Sequence, residues 1–403
     1  GNSLSYTYPD TGTTKTVTLR TNKLSDLNQF QALGDNIVGQ LDMSGWDNLG
    51  GSFDIYANPL LTGVTHTSSS QIISQYRAFG CNLTGNHDMS GLSGLSGFFY
   101  TYGNPLLTGI THTSSTGVFL VFNIGSCNLT GNYDLSMLSG LGGDFYVRFN
   151  PLLTSITHTA STEVFNRYDA QYCNLTGNHD MSGLSGFGGI FQIYGNPLLT
   201  GITHTVSTEV FNTYGANLCN LIGNHDMSMF PNLGGGFAIN QNSSLTGITH
   251  TASTEVFSTY YAYSCNLTGN HDMSMLPGLG GTFFIYTNPL LTGITHTAST
   301  QVFNNYWAYS CGLDYVNFLP FSGASITGVI RLEGNSMSVT DVNHILVDFD
   351  NISTNLNPSG WTGTTLDISG TNAAPDSSSG GFDGVGALSS LTGGTNNWTI
   401  TTS

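Results

Sequence analysis

Residues 257–267 read Phe-Ser-Thr-Tyr-Tyr-Ala-Tyr-Ser-Cys-Asn-Leu, and residues 280–290 read Gly-Gly-Thr-Phe-Phe-Ile-Tyr-Thr-Asn-Pro-Leu. The two stretches share four positions in the same spacing. These hold an aromatic residue, a small or branched apolar residue, either Cys or Asn, and Leu. The Cys recurs every 46 residues, with Asn midway, at Cys81, Cys127, Cys173, Cys219, Cys265 and Cys311, and at Asn58, Asn104, Asn150, Asn196, Asn242 and Asn288. An array of 23-residue units is typical of a solenoid.

This frame resembles the leucine-rich repeat family, L-x-x-L-x-L-x-x-N/C-x-L, in which Asn and Cys are the residues accepted at the ladder position. The frame begins as Leu27-x-x-Phe30-x-Ala32-x-x-Asp35-x-Ile37 and ends as Ile330-x-Leu332-x-x-Asn335-x-Met337. We therefore predict a mainly β leucine-rich-repeat solenoid of 14 turns over residues 27–338, with a parallel sheet on its concave side and little α-helix. Each turn is predicted to carry one short strand and to return in extended or 3₁₀ conformation.

The segments outside the repeats are predicted to cap both ends of the solenoid. Residues 1–26 contain two alternating stretches around a Pro-Asp-Thr-Gly turn, which predicts a β-hairpin over the open edge. Residues 339–403 are predicted to form a C-terminal capping module, with a helical pattern from Val339 to Asp350. Its segments 366–375 and 397–403 are similar to tails that close repeat proteins of phages and aquatic bacteria.

Charged residues are scarce and the balance is acidic. The 403 residues include 7 Lys and Arg and 24 Asp and Glu, which gives a net charge of −17 and 8% charged residues, against about 25% in an average domain. Such a surface disfavours nucleic acid and anionic membranes. No apolar run approaches the roughly 18 residues needed to cross a bilayer. We predict no nucleic-acid partner, no membrane insertion, and an extracellular location on a cell surface or a virion.

The cysteines, histidines and aspartates repeat in columns. Cysteines two turns apart are separated by about 9–10 Å, beyond the ~7 Å limit for a disulfide, so all six are predicted to be buried free thiols. The Asp of each Asp-Met/Leu-Ser is interpreted as a turn cap, with Ca²⁺ binding as the alternative. Ten of the 11 histidines form two columns: His66, His112, His158, His204, His250 and His296, and His87, His179, His225 and His271.

The spacing of these histidines bears on their role. Neighbours within a column lie too far apart to share one metal ion. We interpret the columns as structural side chains that bond neighbouring backbone on the convex wall. A response to pH and metal binding are the alternatives.

The strand residues that point away from the core vary between copies, whereas the return segment Thr-His-Thr-Ala-Ser-Thr-Glu-Val-Phe (157–165 and 249–257) is repeated. They lie two and four positions before each ladder residue, opposite the core by strand alternation. Exposed Tyr and Trp offer large contact area with a polar handle; the alternative is that they stabilise the sheet by stacking. The predicted ligand-binding residues are Tyr56, Phe79, Tyr100, Tyr102, Tyr146, Arg148, Tyr194, Tyr261, Tyr263, Phe284, Tyr286, Trp307 and Tyr309.

Two functions follow from this pattern. The leading hypothesis is a non-enzymatic recognition or adhesion protein that binds a glycan or a protein on its concave aromatic face. The alternative is a structural subunit of an appendage, filament or virion that self-associates. Every candidate acid or base is copied several times, whereas a catalytic site needs one asymmetric constellation; we therefore predict no enzyme activity, no metal site and no cofactor.

Overall fold

The computed structural model describes residues 29–46 and 49–403. The hairpin predicted within residues 1–26 lies outside the described residues. The described chain is a mainly β solenoid of about 13 stacked coils, with 9% helix. This confirms the predicted fold class, a β-solenoid of parallel strands with little helix.

The strands and helices follow one another in a regular order. In chain order the strands are β1 (Gln29–Gln31), β2 (Gly39–Met43), β3 (Gly51–Asp54), β4 (Leu61–His66), β5 (Ile73–Arg77), β6 (Thr84–Met89), β7 (Leu95–Tyr100), β8 (Leu106–His112), β9 (Phe119–Asn123), β10 (Thr130–Asp134), β11 (Gly143–Tyr146), β12 (Leu152–Thr157), β13 (Phe165–Asp169), β14 (Thr176–Asp180), β15 (Phe187–Gln192), β16 (Leu198–Thr203), β17 (Phe211–Gly215), β18 (Gly223–Met227), β19 (Leu233–Ala238), β20 (Leu245–His250), β21 (Phe257–Tyr261), β22 (Thr268–Met273), β23 (Gly281–Phe284), β24 (Leu290–His296), β25 (Val302–Trp307), β26 (Ser325–Ile326), β27 (Val329–Arg331), β28 (Thr365–Asp367) and β29 (Thr399–Thr401). The α-helices are α1 (Val339–Asn351) and α2 (Gly384–Thr392).

The odd-numbered strands up to β25 pair in parallel, and β26 to β29 extend them into a 17-stranded main sheet. Near the ladder residues its strands alternate between faces: Phe283 and Tyr306 are buried, whereas Phe284 and Trp307 on the other face are half-buried. An irregularity at the start of the strands shifts the register, as at Gly281. The inward residues form one continuous core along the solenoid. The sheet is therefore the wall that carries the predicted ligand-binding residues.

The second wall is also built of strands, and the prediction of one strand per turn is wrong. The even-numbered strands from β2 to β24 pair in parallel as six separate two-stranded ladders. In β6, for example, His87 and Met89 are buried between exposed residues. The Gly, Asn and Asp residues of strands such as β6 are weak strand formers, but alternate inward residues are enough to hold the segment extended against the core.

The ladder residues bond the backbone of neighbouring coils. The side-chain amide of Asn288 donates to the carbonyls of Ala262 (2.9 Å) and Ile285 (2.6 Å), and its oxygen accepts from the amide of Leu267 (3.2 Å). The thiol of Cys265 donates to the carbonyl of Ile239 (3.5 Å). All six cysteines are free and buried, as predicted. Asn satisfies three buried backbone groups, which explains its recurrence.

The residue before each ladder position adopts a left-handed conformation. In some coils it is glycine, as at Gly80 (φ 60°), but in others it is not, as at Leu218 (φ 55°). Glycine is required where coils touch: a Cβ on Gly281 (φ 60°) would lie 2.0 Å from the carbonyl oxygen of Ser258 in the previous coil. This contact accounts for the repeated Gly-Gly pairs.

The main sheet continues across residue 338, through β28 and β29. Helix α1 begins at a capping box between Ser338 and Asp341, and the predicted helical pattern from Val339 is confirmed. Asn372 repeats the ladder role, since its amide donates to the carbonyls of Leu332 (2.9 Å) and Ile368 (3.0 Å). The prediction missed this rung because it lies 37 residues after Asn335, outside the 23-residue register.

Candidate ligand-binding face

The outward side chains of the main sheet form the outer face, which consists of rows that run from coil to coil. The first row contains the residues two positions before each ladder residue: Tyr56, Phe79, Tyr102, Gly125, Arg148, Gln171, Tyr194, Asn217, Asn240, Tyr263, Tyr286 and Tyr309. The second row, four positions before, pairs strand to strand: Asp54, Arg77, Tyr100, Asn123, Tyr146, Asp169, Gln192, Gly215, Ala238, Tyr261, Phe284, Trp307 and Arg331.

All thirteen predicted ligand-binding residues lie on the outer face, and each is partly exposed. Many stack on their neighbours in the next coil. At the C-terminal end the Tyr263 ring lies 4.6 Å from Tyr286, and Tyr286 lies 4.5 Å from Tyr309, with planes within 7°. Here the face is an ordered aromatic surface, and stacking contributes to the stability of the sheet.

A parallel stack occupies the second row at the same end. Phe284 lies 5.1 Å from Tyr261 and 4.2 Å from Trp307, and the guanidinium of Arg331 lies 5.2 Å from the Trp307 ring. At the N-terminal end, Tyr56, Phe79 and Tyr102 stack at 4.4 and 4.7 Å. The predicted residues therefore form two separate aromatic clusters. Tyr146, Arg148 and Tyr194 lie between them.

All four basic residues within the described ranges lie on the outer face, although the prediction named only Arg148. They are Arg77, Arg148, Arg167 and Arg331. Each guanidinium lies over at least one aromatic ring: Arg77 over Tyr56 at 5.2 Å and Arg331 over Tyr309 at 4.1 Å, for example. The rarity of basic residues in this sequence is the signal that could have revealed this clustering.

Two buried carboxylates hold three of these arginines. Arg77 makes two bonds to Asp54, of 2.6 and 2.9 Å. Burial raises the pKa of Asp54, but hydrogen bonds from Arg77, Ser52 and Gln31 outweigh it, so the pKa lies below its usual value. Asp169 contacts Arg148 (3.3 Å) and Arg167 (3.7 Å) less closely. There, burial dominates and raises the pKa of Asp169.

Two further aromatic residues of this surface escaped the prediction. Phe149 and Tyr172, at left-handed positions beside the first row, stack at 5.4 Å. Tyr172 also meets Tyr194 edge-on at 5.3 Å. They were missed because the residue before the ladder departs from strand alternation.

The histidines point into the solenoid, and the expectation that they bond backbone is corrected. In the fifth 46-residue repeat the hydroxyl of Tyr260 lies 2.9 Å from Nε2 of His250 and 2.8 Å from Nε2 of His271. The same arrangement joins His66, Tyr76 and His87; His158, Tyr168 and His179; and His204, Tyr214 and His225. The partner is a core tyrosine, which spacing within one column could not reveal.

Burial keeps these imidazoles neutral. It lowers the pKa of His271 to about 4, against a smaller opposing effect of Asp272. Burial, followed by repulsion from His271, lowers the pKa of His250 to about 3. Nδ1 of His250 is shielded and has no partner. Because the tyrosine has one hydroxyl proton to donate, one histidine must donate to it and the other must accept.

The aspartate column is confirmed as a set of turn caps. Oδ1 of Asp88 accepts from the amide of Ser90 at 2.9 Å, and the other copies do the same. Within residues 29–46 and 49–403, no three His, Cys, Asp or Glu side chains are placed to hold a metal ion together. None of the helices in these ranges is long and apolar enough to cross a bilayer.

Comparisons of the chain with protein-family models, curated proteins and solved structures give no match. The resemblance to leucine-rich repeats therefore rests on the repeat frame in the sequence. The candidate site rests on the outer face of the main sheet.

Proposed function

We propose that this protein is a non-enzymatic recognition or adhesion protein of leucine-rich-repeat type. It binds a glycan or protein ligand through the outer face of the main sheet. The observation that carries the proposal is a contrast within each coil. The buried ladder and core positions repeat, whereas the second row changes from Asp169 to Gln192, Gly215, Ala238 and Tyr261 over five successive coils.

The chemistry of the outer face supports this proposal. Half-buried Tyr, Phe and Trp supply rigid contact area, and arginine supplies donors, as in other recognition surfaces. The basic residues of the described ranges are confined to this face, whereas aspartates such as Asp88 and Asp180 line the outside of the second wall. The two walls thus differ in charge, and the outer face is the nearly neutral one.

The proposed setting is extracellular, on a cell surface or a virion. There the few charges and the Ser, Thr and Asn-rich surface suit exposure to solvent. No cofactor, nucleic acid or inserted membrane is part of the proposed mechanism. Binding relies on a rigid surface that is already ordered before the ligand arrives, which lowers the entropy cost of association.

A second candidate is a structural subunit, and exposed aliphatic columns favour it. Leu60, Leu106, Leu152, Leu198 and Leu290 are each 48–52% exposed at the same corner. Val118, Val164, Val210, Val256 and Val302 form another such column. Unlike the outer rows, these columns are nearly constant, with Ser244 and Ile72 as the exceptions in their registers, and a repeated lateral contact would need such constancy.

A glycan and cell-surface array tests the proposal. The wild type is compared with a variant carrying Tyr263→Ala, Tyr286→Ala, Trp307→Ala and Tyr309→Ala, with circular dichroism to verify that the variant is folded. Binding by the wild type that is lost in the folded variant supports recognition. No binding by the wild type, together with ordered filaments in electron micrographs of the pure protein, would instead support the structural subunit.

A further inference from the structure

The second row contains a gap in its aromatic stack. From the C-terminal end it runs Trp307, Phe284 and Tyr261, then drops to Ala238 and Gly215 before Gln192. Three strand spacings separate Tyr261 from Gln192, about 14 Å. A shallow notch therefore interrupts the row, with Ala238 as its open floor and the buried Gly215, which Tyr194 covers, at its far side.

One face of the Tyr261 ring is open to this notch. The ring stacks on Phe284 with planes 17° apart, so its planes face along the strand-to-strand direction. The Tyr261 ring contacts the rings of Phe284 and Tyr263. The opposite face is directed at position 238, where alanine provides only a methyl group. No aromatic ring continues the stack at position 238, so this face of Tyr261 has no stacking partner in the adjoining coil.

The opposite side of the notch is also aromatic. A Cβ on Gly215 would lie 3.6 Å from Cδ1 of Tyr194 and 3.8 Å from Cγ of Gln192, which is ordinary contact. Tyr194 thus leans over the floor at Gly215. Asn217 and Gln192 are half-buried beside it and carry amides that can donate and accept.

The notch contains no charge. The nine outward positions of its coils and the adjoining one are neutral: Thr213, Gly215, Asn217, Gly236, Ala238, Asn240, Thr259, Tyr261 and Tyr263. The nearest arginine of the face, Arg167, belongs to the coil before Gln192 and is engaged with Asp169 and Gln192. At the edge of the notch an anionic ligand therefore meets only an arginine that is already paired, and a neutral ligand need not disturb that pairing.

We propose that this notch binds one neutral hexopyranose ring of a glycan, stacked on Tyr261 over Ala238, with Tyr194 at its far side. This inference rests on the proposed function and assigns its ligand class and site. A pyranose presents a patch of C–H groups on its flat face, which complements the negative face of an aromatic ring. Its hydroxyls at the rim match the amide of Asn217 and the NH₂ group of Gln192, whose oxygen accepts from Arg167.

The test fills the notch: Ala238→Tyr removes no side-chain hydrogen bond, whereas the control Asn123→Tyr gives up the bond from the Gly125 amide to Asn123 Oδ1. Ala238→Tyr adds a ring where the stack is interrupted, and Asn123→Tyr adds one to the same row three coils beyond Gln192, as the matched control. Saturation-transfer NMR measures binding of methyl glycosides of glucose, galactose and mannose to the wild type and to each variant. We expect Ala238→Tyr to weaken binding at least tenfold, about 1.4 kcal/mol, and Asn123→Tyr to leave it unchanged.

The outcomes separate this inference from the proposed function. Unchanged binding in folded Ala238→Tyr overturns the site. A wild type that ignores neutral glycosides but binds a protein or an acidic glycan through the outer face overturns the ligand class and leaves the proposed function standing. If Ala238→Tyr does not fold, Tyr261→Leu replaces it, and undiminished binding by that variant contradicts the stacking.

Discussion

The hydroxyl of Tyr260 lies 2.8 Å from Nε2 of His271, a contact that joins the main sheet to the second wall across the core. The same hydroxyl meets His250 on the return of the previous coil. These bonds recur along the solenoid, so its interior is held by repeated polar links as well as by apolar packing. Buried polar groups of this kind are stabilising only when each has its partner.

Tyr260→Phe is expected to destabilise the protein. It leaves the two facing imidazole nitrogens without a partner in the core, which costs about 1–3 kcal/mol for each unsatisfied group. The midpoint of denaturant unfolding measures this loss. An unchanged midpoint would show that the Tyr–His links contribute no stability.

The chain itself supplies a rescue for that variant. In the second repeat Phe122 replaces the tyrosine, Tyr133 replaces the histidine, and Tyr133 bonds directly to His112. Tyr260→Phe combined with His271→Tyr recreates this arrangement. We expect the double variant to recover most of the lost stability, whereas a double variant no more stable than Tyr260→Phe would contradict this pairing.

Acid is expected to unfold the protein. In the unfolded chain histidine has a pKa of about 6.5, whereas burial lowers that of His87, His179, His225 and His271 to about 4. Between these values the unfolded state binds more protons, so stability is complete above pH 6.5 and falls as the pH drops towards 4. At pH 5 each of these histidines lowers the free energy of unfolding by about 2 kcal/mol, and the four together lower it by about 8 kcal/mol.

That loss is comparable to the whole stability of a typical domain, ~5–15 kcal/mol. Unfolding midpoints between pH 8 and pH 4 measure it. The double variant Tyr260→Phe with His271→Tyr has one fewer histidine and should show a shallower decline between pH 7 and pH 5. A midpoint that does not change over that range would contradict the buried, neutral state of the histidines.

The two kinds of ladder residue are expected to differ in their contribution to stability. Asn288→Ala removes the partner of three backbone groups, those of Ala262, Ile285 and Leu267, and should cost about 3 kcal/mol or more. Cys265→Ala removes one weak thiol donor and a small volume, and should lower the free energy of unfolding by about 1 kcal/mol. Thermal unfolding of the two variants compares them, and equal losses would contradict the ladder account.

The left-handed position allows a test in both directions. Leu218 has φ 55° and is 41% exposed, so it adopts an unfavourable backbone conformation with little compensating burial. We expect Leu218→Gly to stabilise the protein by about 1 kcal/mol. Gly80 has the same conformation (φ 60°), with open space around a Cβ. Gly80→Leu should therefore destabilise the protein by a similar free energy. If both substitutions changed the free energy of unfolding in the same direction, backbone strain at this position would be contradicted.

The sequence predicted the solenoid because the ladder and core residues recur in register. It predicted the outward residues for the same reason: alternation around each ladder position fixes the face of Tyr263 or Trp307. It missed the strands of the second wall, since Gly, Asn and Asp residues such as those of β6 have weak strand propensity. It also missed the Tyr260–His271 link. This bond joins a strand of the main sheet to a strand of the second wall, and the repeat of either residue alone does not show that the two meet.

Blocking one face at a time shows which wall of the solenoid binds the ligand. The six native thiols are buried, and burial raises the pKa of Cys265 to about 11, so a new surface cysteine can be labelled alone. Asn217→Cys places a polyethylene glycol maleimide on the outer face, and Asn178→Cys places it on the second wall. For any ligand found on the array, our account predicts that the label at 217 abolishes binding and the label at 178 does not. Binding that survives at 217 and is lost at 178 would contradict it.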